Sequence, residues 1–392
     1  MPGASPWPAS PPRVQRCLLW AVTGALPQAV GSKRQPQAVR QGLVLGLRDD
    51  EGGLGLGEAA PLPGHSPDTL ADCTQALSDL SKRLASSPRD AAGWPILPLL
   101  DGLPAARFAF ETAFADLWAQ QQRDARGQIA TLAQILGGPS APPPLVLNAL
   151  VGSPEEAQAA VAAGFRTLKL KIGGPDFAAE RALLLNLRAT LPADVALRVD
   201  ANGAYELDEA TRHLRALAEL GLEYVEQPVA AGNGALLRLP ATAVPVAADE
   251  SLQFPEERDA LRVGRQAAVW VIKPALFGLR LARALATQAQ AQGIGVVITH
   301  LFDGPLGLAA AVELAWSLPQ PPRACGLAWH AGLAAWPPLV SSQSGALPQP
   351  ASMAGWGPAV LHRDRGAGLG GVDREGFVRA LGRPLHDAEI AR

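Results

Sequence analysis

The sequence contains few cysteines, and they follow no pattern. Three occur in 392 residues, at Cys17, Cys73 and Cys325. An odd number at wide spacing argues against a disulfide framework and a zinc knuckle, and it favours a reducing compartment. We interpret all three as small buried apolar side chains and expect the protein to be cytoplasmic.

Long apolar runs and an excess of one charge are also missing. No stretch reaches the roughly 18 apolar residues that a transmembrane helix needs. The apolar segment at 17–26 is short and follows proline-rich sequence, so we predict a strand there rather than a signal peptide. Lys plus Arg total 34 and Asp plus Glu total 36, which gives a net charge of −2. With no basic stripe, we expect neither nucleic acid nor membrane as a partner.

The chain changes pattern at a linker rich in proline and glycine, residues 137–144. Before it, residues 1–137 predict an α+β capping domain, with a hairpin over 41–64 and an amphipathic helix over 105–122. After it, residues 145–339 alternate short apolar runs with helical segments, which indicates parallel strands joined by helices. Residues 340–392 are rich in glycine and proline, and we expect them to return to the capping domain.

Eight apolar runs fit the second region, and eight strand–helix units that close on themselves form a (β/α)8 barrel. The predicted fold is therefore α/β, a modified TIM-type barrel with a capping domain that the C-terminal segment completes. The runs are LVLNALVG, FRTLKLKIG, VALRVDANG, LEYVEQPV, VPVAADES, AAVWVIKPA, IGVVITHLF and RACGLAWHA.

Polar residues recur near the carboxyl ends of these strands, where the active sites of barrel enzymes lie. They follow one another at intervals of about one strand–helix unit, so we expect them at the same height around the rim. In chain order they are Lys169 and Lys171, Asp200 and Asn202, Glu226, Asp249 and Glu250, Lys273, and Thr299 and His300.

Three of these residues are carboxylates on adjacent strands, namely Asp200, Glu226 and Asp249. They cannot all be ionised at close range without a cation. Their oxygens are hard ligands without His or Cys beside them, which favours Mg²⁺, with Mn²⁺ as a substitute.

Lysines stand on both sides of the three carboxylates. A carboxylate substrate bound to the metal would have an acidified neighbouring carbon, and a deprotonated lysine could remove that proton to give an enediolate that the metal holds. We assign this chemistry to Lys171 and Lys273, and expect Lys169 to tune Lys171 electrostatically. Each residue also has a purely structural interpretation, as a turn former or a solvated charge. That alternative stays open for Asn202 and Glu250, which either support the site residues or are structural. It also stays open for His300, which is either a substrate contact or a core residue.

The series KxK, DANG, EQP, ADES and IKP resembles the enolase superfamily, in the branch of muconate lactonising enzymes, dipeptide epimerases and o-succinylbenzoate synthases. The resemblance covers most of the chain. It implies that Lys171 and Lys273 are the acid/base pair and that Asp200, Glu226 and Asp249 are magnesium ligands.

Two N-terminal fragments, GEAAPLPGHS at 57–66 and ARFAFETA at 106–113, are similar to sequences of the o-succinylbenzoate synthase group. That resemblance implies a lyase of menaquinone biosynthesis. Its small carboxylate substrate would be 2-succinyl-6-hydroxy-2,4-cyclohexadiene-1-carboxylate, which is dehydrated to o-succinylbenzoate. Lys171 would remove the proton and Lys273 would stay protonated and stabilise the intermediate.

One departure concerns strand seven, where Thr299 and His300 replace the serines usual in that group. The contacts to the succinyl side are therefore undetermined, and Lys33 and Arg34 are either partners of its carboxylate or solvated charges. The alternatives are a racemase of N-succinylamino acids or a dipeptide epimerase on the same scaffold. His300 leaves open a sugar-acid dehydratase of the mandelate type. From another class comes a barrel that binds a small molecule without catalysis.

Overall fold

The structure is a computed structural model, and it describes residues 12, 14–32, 35–86, 97–122, 129–264, 266–341, 345–346, 356–362, 369 and 372–389. In chain order the strands are β1 (Val14–Ser32), β2 (Gln35–Asp49), β3 (Leu54–Ala59), β4 (Leu145–Val146), β5 (Ala149–Leu150), β6 (Thr167–Lys171), β7 (Ala196–Asp200), β8 (Tyr224–Glu226), β9 (Val246–Ala248), β10 (Val269–Ile272), β11 (Gly295–Ile298), β12 (Val340–Ser341), β13 (Gly345–Ala346), β14 (Val360–Leu361) and β15 (His386–Glu389). The α-helices are α1 (Leu70–Ser86), α2 (Pro104–Gln121), α3 (Leu132–Ile135), α4 (Pro154–Ala162), α5 (Phe177–Thr190), α6 (Leu207–Ala216), α7 (Ala235–Arg238), α8 (Pro255–Gly264), α9 (Leu279–Ala291), α10 (Pro305–Trp316) and α11 (Arg374–Leu381).

An antiparallel sheet of four strands, in the order β15-β1-β2-β3, forms the N-terminal part of the structure. The predicted hairpin is confirmed, since β2 pairs with β3 from Leu43 opposite Ala59 to Arg48 opposite Leu54. The strand predicted near the N-terminus is β1. The last strand of the chain, β15, pairs with β1, with Glu389 opposite Arg16.

Helix α2 is confirmed as a helix, but its prediction as amphipathic is wrong. It is buried on nearly every side, including the polar residues Glu111 and Asp116. On one side β3 approaches it at Gly55 and Gly57, where an added Cβ would lie only 2.0 Å and 1.9 Å from α2 carbonyl oxygens. On another side it contacts α9, so α2 is packed between two parts of the structure.

Seven parallel strands form the barrel, in the order β11-β10-β9-β8-β7-β6-β5. The prediction of an eighth strand is corrected, because the run RACGLAWHA makes only isolated bridges. Its backbone N–H groups divide between two neighbours: that of Cys325 donates to Val146 at 2.8 Å and that of Gly326 to Ile298 at 3.0 Å. The run therefore lies between the segment at β4, just before the first barrel strand, and the end of the last barrel strand β11, but it pairs too briefly with either to count as a strand.

Successive side chains of each barrel strand point alternately outward, toward the helices, and inward, toward the barrel axis, as expected for a period of two. Leu168 and Leu170 of β6 pack into the main hydrophobic core under the helices. Lys169 and Lys171 point to the other side and line the cavity at the barrel mouth. The sequence pattern that predicted both lysines on one face is confirmed.

The three cysteines are free and buried, which confirms their interpretation as apolar packing groups. No helix within the described ranges is long and apolar enough to cross a bilayer.

Arg40 of β2 ties the N-terminal sheet to the barrel mouth. It is 2% exposed, and its guanidinium donates to the carbonyl of Pro61 at 2.8 Å and to that of Phe302 at 2.9 Å. Pro61 precedes Leu62, and Phe302 follows β11, and both Leu62 and Phe302 line the cavity. Arg40 thus fixes two walls of the cavity relative to each other.

Glu58 of β3 makes a second buried link. Its Oε1 accepts the N–H of Gly304 at 2.5 Å, and its Oε2 accepts the N–H of Gly307 at 3.1 Å, at the start of α10. Both donors belong to the amino end of a helix, where a negative charge is stabilising.

We expect Glu58→Gln to lower the free energy of unfolding by about 2 kcal/mol, because an amide NH₂ would face a buried N–H and leave it without an acceptor. Urea unfolding measures the change. The control is Glu51→Gln in the exposed turn, for which we expect a change within about 0.5 kcal/mol. Equal stabilities of the two variants would show that the link through Glu58 contributes nothing.

Candidate active site

A cavity of about 410 Å³ opens at the carboxyl ends of the barrel strands. This is the end where the loops of a TIM-type barrel build its active site. Two predicted site residues, Asp249 and Glu250, are not among its lining residues. The predicted residues that line it are Lys169, Lys171, Asp200, Asn202, Glu226, Lys273, Thr299 and His300.

Strand register brings the first residues of the site together. Lys171 is the partner of Asp200 in the β6–β7 ladder, and Asp200 is the partner of Glu226 in the β7–β8 ladder. The Lys169 ammonium lies between the two carboxylates, 2.8 Å from Asp200 Oδ2 and 2.7 Å from Glu226 Oε1. Lys169 is therefore an ion-pair partner of both carboxylates, which is more than the electrostatic tuning predicted for it.

Asp249 and Lys273 form a second ion pair in direct contact. The side chain of Gln227 fixes the backbone around Asp249. Its Oε1 accepts the backbone N–H of Asp249 at 3.0 Å and that of Ser251 at 3.2 Å. Asp249 is thus held at the rim and covered by Lys273, which explains why it does not line the cavity.

Negative charge exceeds positive charge at this rim. Burial, together with the neighbouring Asp200 and Asp249, raises the pKa of Glu226 to about 8, although the ammonium groups of Lys169 and Lys273 oppose the shift. The Oε2 atom of Glu226 is buried and has no hydrogen-bond partner among the described residues. For Asp200, by contrast, burial raises the pKa, but the ammonium groups of Lys169, Lys273 and Lys171 together lower it by more, so the net shift is downward.

These residues fit a divalent cation by charge and by donor type. The donors are carboxylate oxygens, which Mg²⁺ prefers, and the unpartnered Glu226 Oε2 is one acceptor that a cation could satisfy. Within the part of the chain that the structure describes, no three His, Cys, Asp or Glu side chains converge as a ready metal site. The ammonium groups of Lys169 and Lys273 lie against the carboxylates instead, so a cation would have to displace them.

Lys171 has the properties of a general base. Burial, together with the ammonium groups of Lys169 and Lys273, lowers its pKa from 10.5, although Asp200 opposes the shift. Lys273 differs, because burial lowers its pKa but the carboxylates of Asp249, Glu250 and Glu226 together raise it by more. One lysine is thus disposed to lose its proton and the other to keep it.

The remaining predicted residues contribute unequally. The backbone N–H of Asn202 donates to Asp200 Oδ1 at 3.0 Å in a left-handed conformation with φ of 45°. Thr299 lines the cavity, but its hydroxyl donates to the carbonyl of Gly326 at 2.9 Å, a structural bond. Glu250 has a buried Oε2 without a partner among the described residues, beside Asp249.

Sequence reasoning missed Gln227, His65 and His330. Gln227 was visible in the EQP motif but had no predicted role. His65 lines the cavity from the N-terminal part of the chain, and His330 lines it from the run RACGLAWHA. Only the three-dimensional fold brings these two histidines to the strand ends. The candidate residues Lys33 and Arg34 lie outside the described residues.

The chain is similar to known proteins that have two different activities. A sequence model described as "Enolase C-terminal domain-like" matches residues 153–357. An o-succinylbenzoate synthase of Thermobifida fusca is 38% identical over 181 residues, which are 45% of this chain and 56% of that protein. An L-Ala-D/L-Glu epimerase of Bacillus subtilis is 31% identical over 291 residues, which are 71% of this chain and 78% of that protein. A solved dipeptide epimerase of Methylococcus capsulatus, complexed with Mg and L-Arg-D-Lys, has a TM-score of 0.68 at 31% identity and covers 80% of this chain and 90% of its own.

Proposed function

Since the chain belongs to the enolase superfamily, in the branch of muconate lactonising enzymes, we propose that it is a magnesium-dependent o-succinylbenzoate synthase. The reaction is the dehydration of 2-succinyl-6-hydroxy-2,4-cyclohexadiene-1-carboxylate, which makes the enzyme a carbon–oxygen lyase. The Thermobifida fusca relative carries the name o-succinylbenzoate synthase.

The carboxylates Asp200, Glu226 and Asp249 would hold the magnesium ion. When bound, the ion withdraws electron density from a substrate carboxylate and so acidifies the adjacent C–H bond. Support for this ligand set comes from the excess of negative charge at the rim and from the unpartnered oxygen of Glu226. The solved Methylococcus capsulatus relative contains Mg.

Lys171 takes the α-proton from the substrate, because it is the lysine with the lowered pKa. Lys273 keeps its proton and stabilises the negative charge that develops when the C–H bond breaks. The C–O bond to the hydroxyl then breaks, the ring becomes aromatic, and the proton held by Lys171 can leave with the hydroxyl as water.

One observation favours the synthase over a dipeptide epimerase. Among the described residues that line the cavity, the only carboxylates are Asp200 and Glu226, and the Lys169 ammonium is already paired with both. A dipeptide carries a free ammonium group, and burying it without an anionic partner is costly. The acyl oxygen on the second arm of the synthase substrate carries no charge and has no such cost, whereas the carboxylate at the end of that arm needs hydrogen-bond donors of its own.

Racemisation of N-succinylamino acids is the second candidate. Strands β6 and β10 flank the three strands that carry the carboxylates, so Lys171 and Lys273 approach from opposite sides. This placement suits removal of a proton on one face and its return on the other, and an N-succinyl group also lacks a free ammonium.

A panel of three substrates tests the proposal. Purified protein with Mg²⁺ is assayed on the cyclohexadiene carboxylate, on an N-succinylamino acid, and on L-Ala-L-Glu. We expect formation of o-succinylbenzoate from the first and no epimerisation of the dipeptide. Conversion of the N-succinylamino acid alone would replace the synthase with the racemase, and conversion of the dipeptide would refute the argument from the cavity lining.

A further inference from the structure

Two histidines that stack on each other in the wall of the cavity have no role in the proposed reaction. His300 follows β11, and His330 lies in the run RACGLAWHA. Their rings are stacked, with centroids 3.9 Å apart and planes inclined by 29°. Phe302 contacts both rings, at 5.5 Å from His300 and 5.6 Å from His330. All three residues line the same cavity as Lys171 and Lys273.

His330 has unused hydrogen-bonding capacity. Both Nδ1 and Nε2 are buried and have no partner among the described residues. A buried polar group without a partner is costly, and a native structure keeps one where another group, such as a ligand, completes it. Since the ring lines the cavity, a ligand in the cavity is the group that could reach it.

The tautomer of His300 follows from its one bond. The backbone N–H of Phe302 donates to its Nδ1 at 3.0 Å. Nδ1 is therefore the unprotonated nitrogen, and Nε2 carries the proton in the neutral ring. His300 therefore presents its N–H donor at Nε2.

The positive groups that act on this pair are three rim lysines and Arg40. Burial, together with Lys273, Lys169, Arg40 and Lys171, lowers the pKa of His300 to about 3. Burial also lowers the pKa of His330, with His300 and Arg40 acting in the same direction. Both rings are neutral near pH 7, with the ammonium groups of the rim and the Arg40 guanidinium as the cations that act on them.

We propose that His300 and His330 form a subsite that receives the carboxylate on the second arm of the substrate, as neutral hydrogen-bond donors. The inference rests on the proposed function, because it places the first carboxylate at Asp200, Glu226 and Asp249. In o-succinylbenzoate the second carboxylate is the end of the succinyl arm. Neutral rings suit such a group, since they bind it without adding charge that would perturb Lys171.

The test compares two ligands that differ only in that carboxylate, namely o-succinylbenzoate and 2-butanoylbenzoate. Their dissociation constants are measured calorimetrically with Mg²⁺ present. The variants are His330→Phe, which keeps a flat ring, and His300→Asn, which keeps an acceptor for the N–H of Phe302. The matched control is His213→Phe, because His213 also has a buried unpartnered Nδ1 but stacks on Phe177 outside the cavity.

We expect wild type and the control to bind o-succinylbenzoate more tightly than 2-butanoylbenzoate. In each subsite variant the ratio of the two dissociation constants should shrink about tenfold, as one lost hydrogen bond to a charged group predicts. An unchanged preference in both folded variants would overturn the subsite while the proposed function stands. If wild type binds neither ligand, the proposed function fails and the subsite fails with it.

Discussion

Replacing Lys171 with alanine should reduce kcat by about 10³-fold or more, the range expected when a positioned general base is lost. Lys171 is the lysine of the rim whose pKa is lowered, and it is the partner of Asp200 in the β6–β7 ladder. The exposed Lys82, which pairs with Asp79 at 3.0 Å, supplies the control variant Lys82→Ala, whose kcat should match wild type. Steady-state kinetics with Mg²⁺ measures both.

The pH profile adds a readout that a structural role would not produce. The base must be unprotonated, so kcat should rise with pH and level off once Lys171 has lost its proton. Because burial and the neighbouring ammonium groups lower this pKa from 10.5, the plateau should begin below that value. A Lys171→Ala variant with normal kcat and the same pH profile would show that another group is the base.

The second large effect is expected for Glu226→Gln. The substitution keeps the shape of the side chain but removes a charge from the carboxylate set and places an amide near Lys169. We expect kcat/KM to fall more than about 100-fold and Mg²⁺ binding to weaken in parallel, because a ligand is lost at the centre of the proposed site. Activity assays and calorimetric titration with Mg²⁺ provide the two measurements.

The control for this change is Glu256→Gln in the exposed first turn of α8. It removes a carboxylate at an exposed position that does not line the cavity, and it should leave both measurements unchanged. If Glu226→Gln behaved like this control, the assignment of Glu226 as a metal ligand would be wrong.

Local patterns predicted much of this architecture. The alternation around Lys169 and Lys171 placed both lysines on the interior face, and the regular spacing of polar residues placed them at the strand ends. Both follow from the period of two along a strand and from the order of parallel strands. Patterns among residues close together in the sequence are sufficient to predict features of this kind.

Features that depend on distant partners could not be predicted. Helix α2 was expected to expose a polar face, but Glu111 accepts the backbone N–H of Arg280 at 2.9 Å and Asp116 accepts that of Leu56 at 3.0 Å. A polar residue whose partner lies far along the chain looks like a surface residue in the sequence. The same reason hid His330, whose place in the cavity depends on where the last run lies beside the end of β11.

The arrangement of charge at the rim also lay beyond the sequence. Three carboxylates were expected to face one centre, whereas Lys273 covers Asp249 and Lys169 bridges Asp200 and Glu226. Spacing along the chain gives the height of each residue but not which ammonium group lies against which carboxylate. Those pairings are set by side-chain reach across neighbouring strands.

A crystal structure of the protein grown with Mg²⁺ and o-succinylbenzoate tests the central claim most directly. We predict a metal ion held by Asp200, Glu226 and Asp249, with the aromatic carboxylate of the ligand beside it and Lys171 facing the neighbouring ring carbon. A metal ion bound elsewhere, or a ligand lying away from Lys171 and Lys273, would contradict the account.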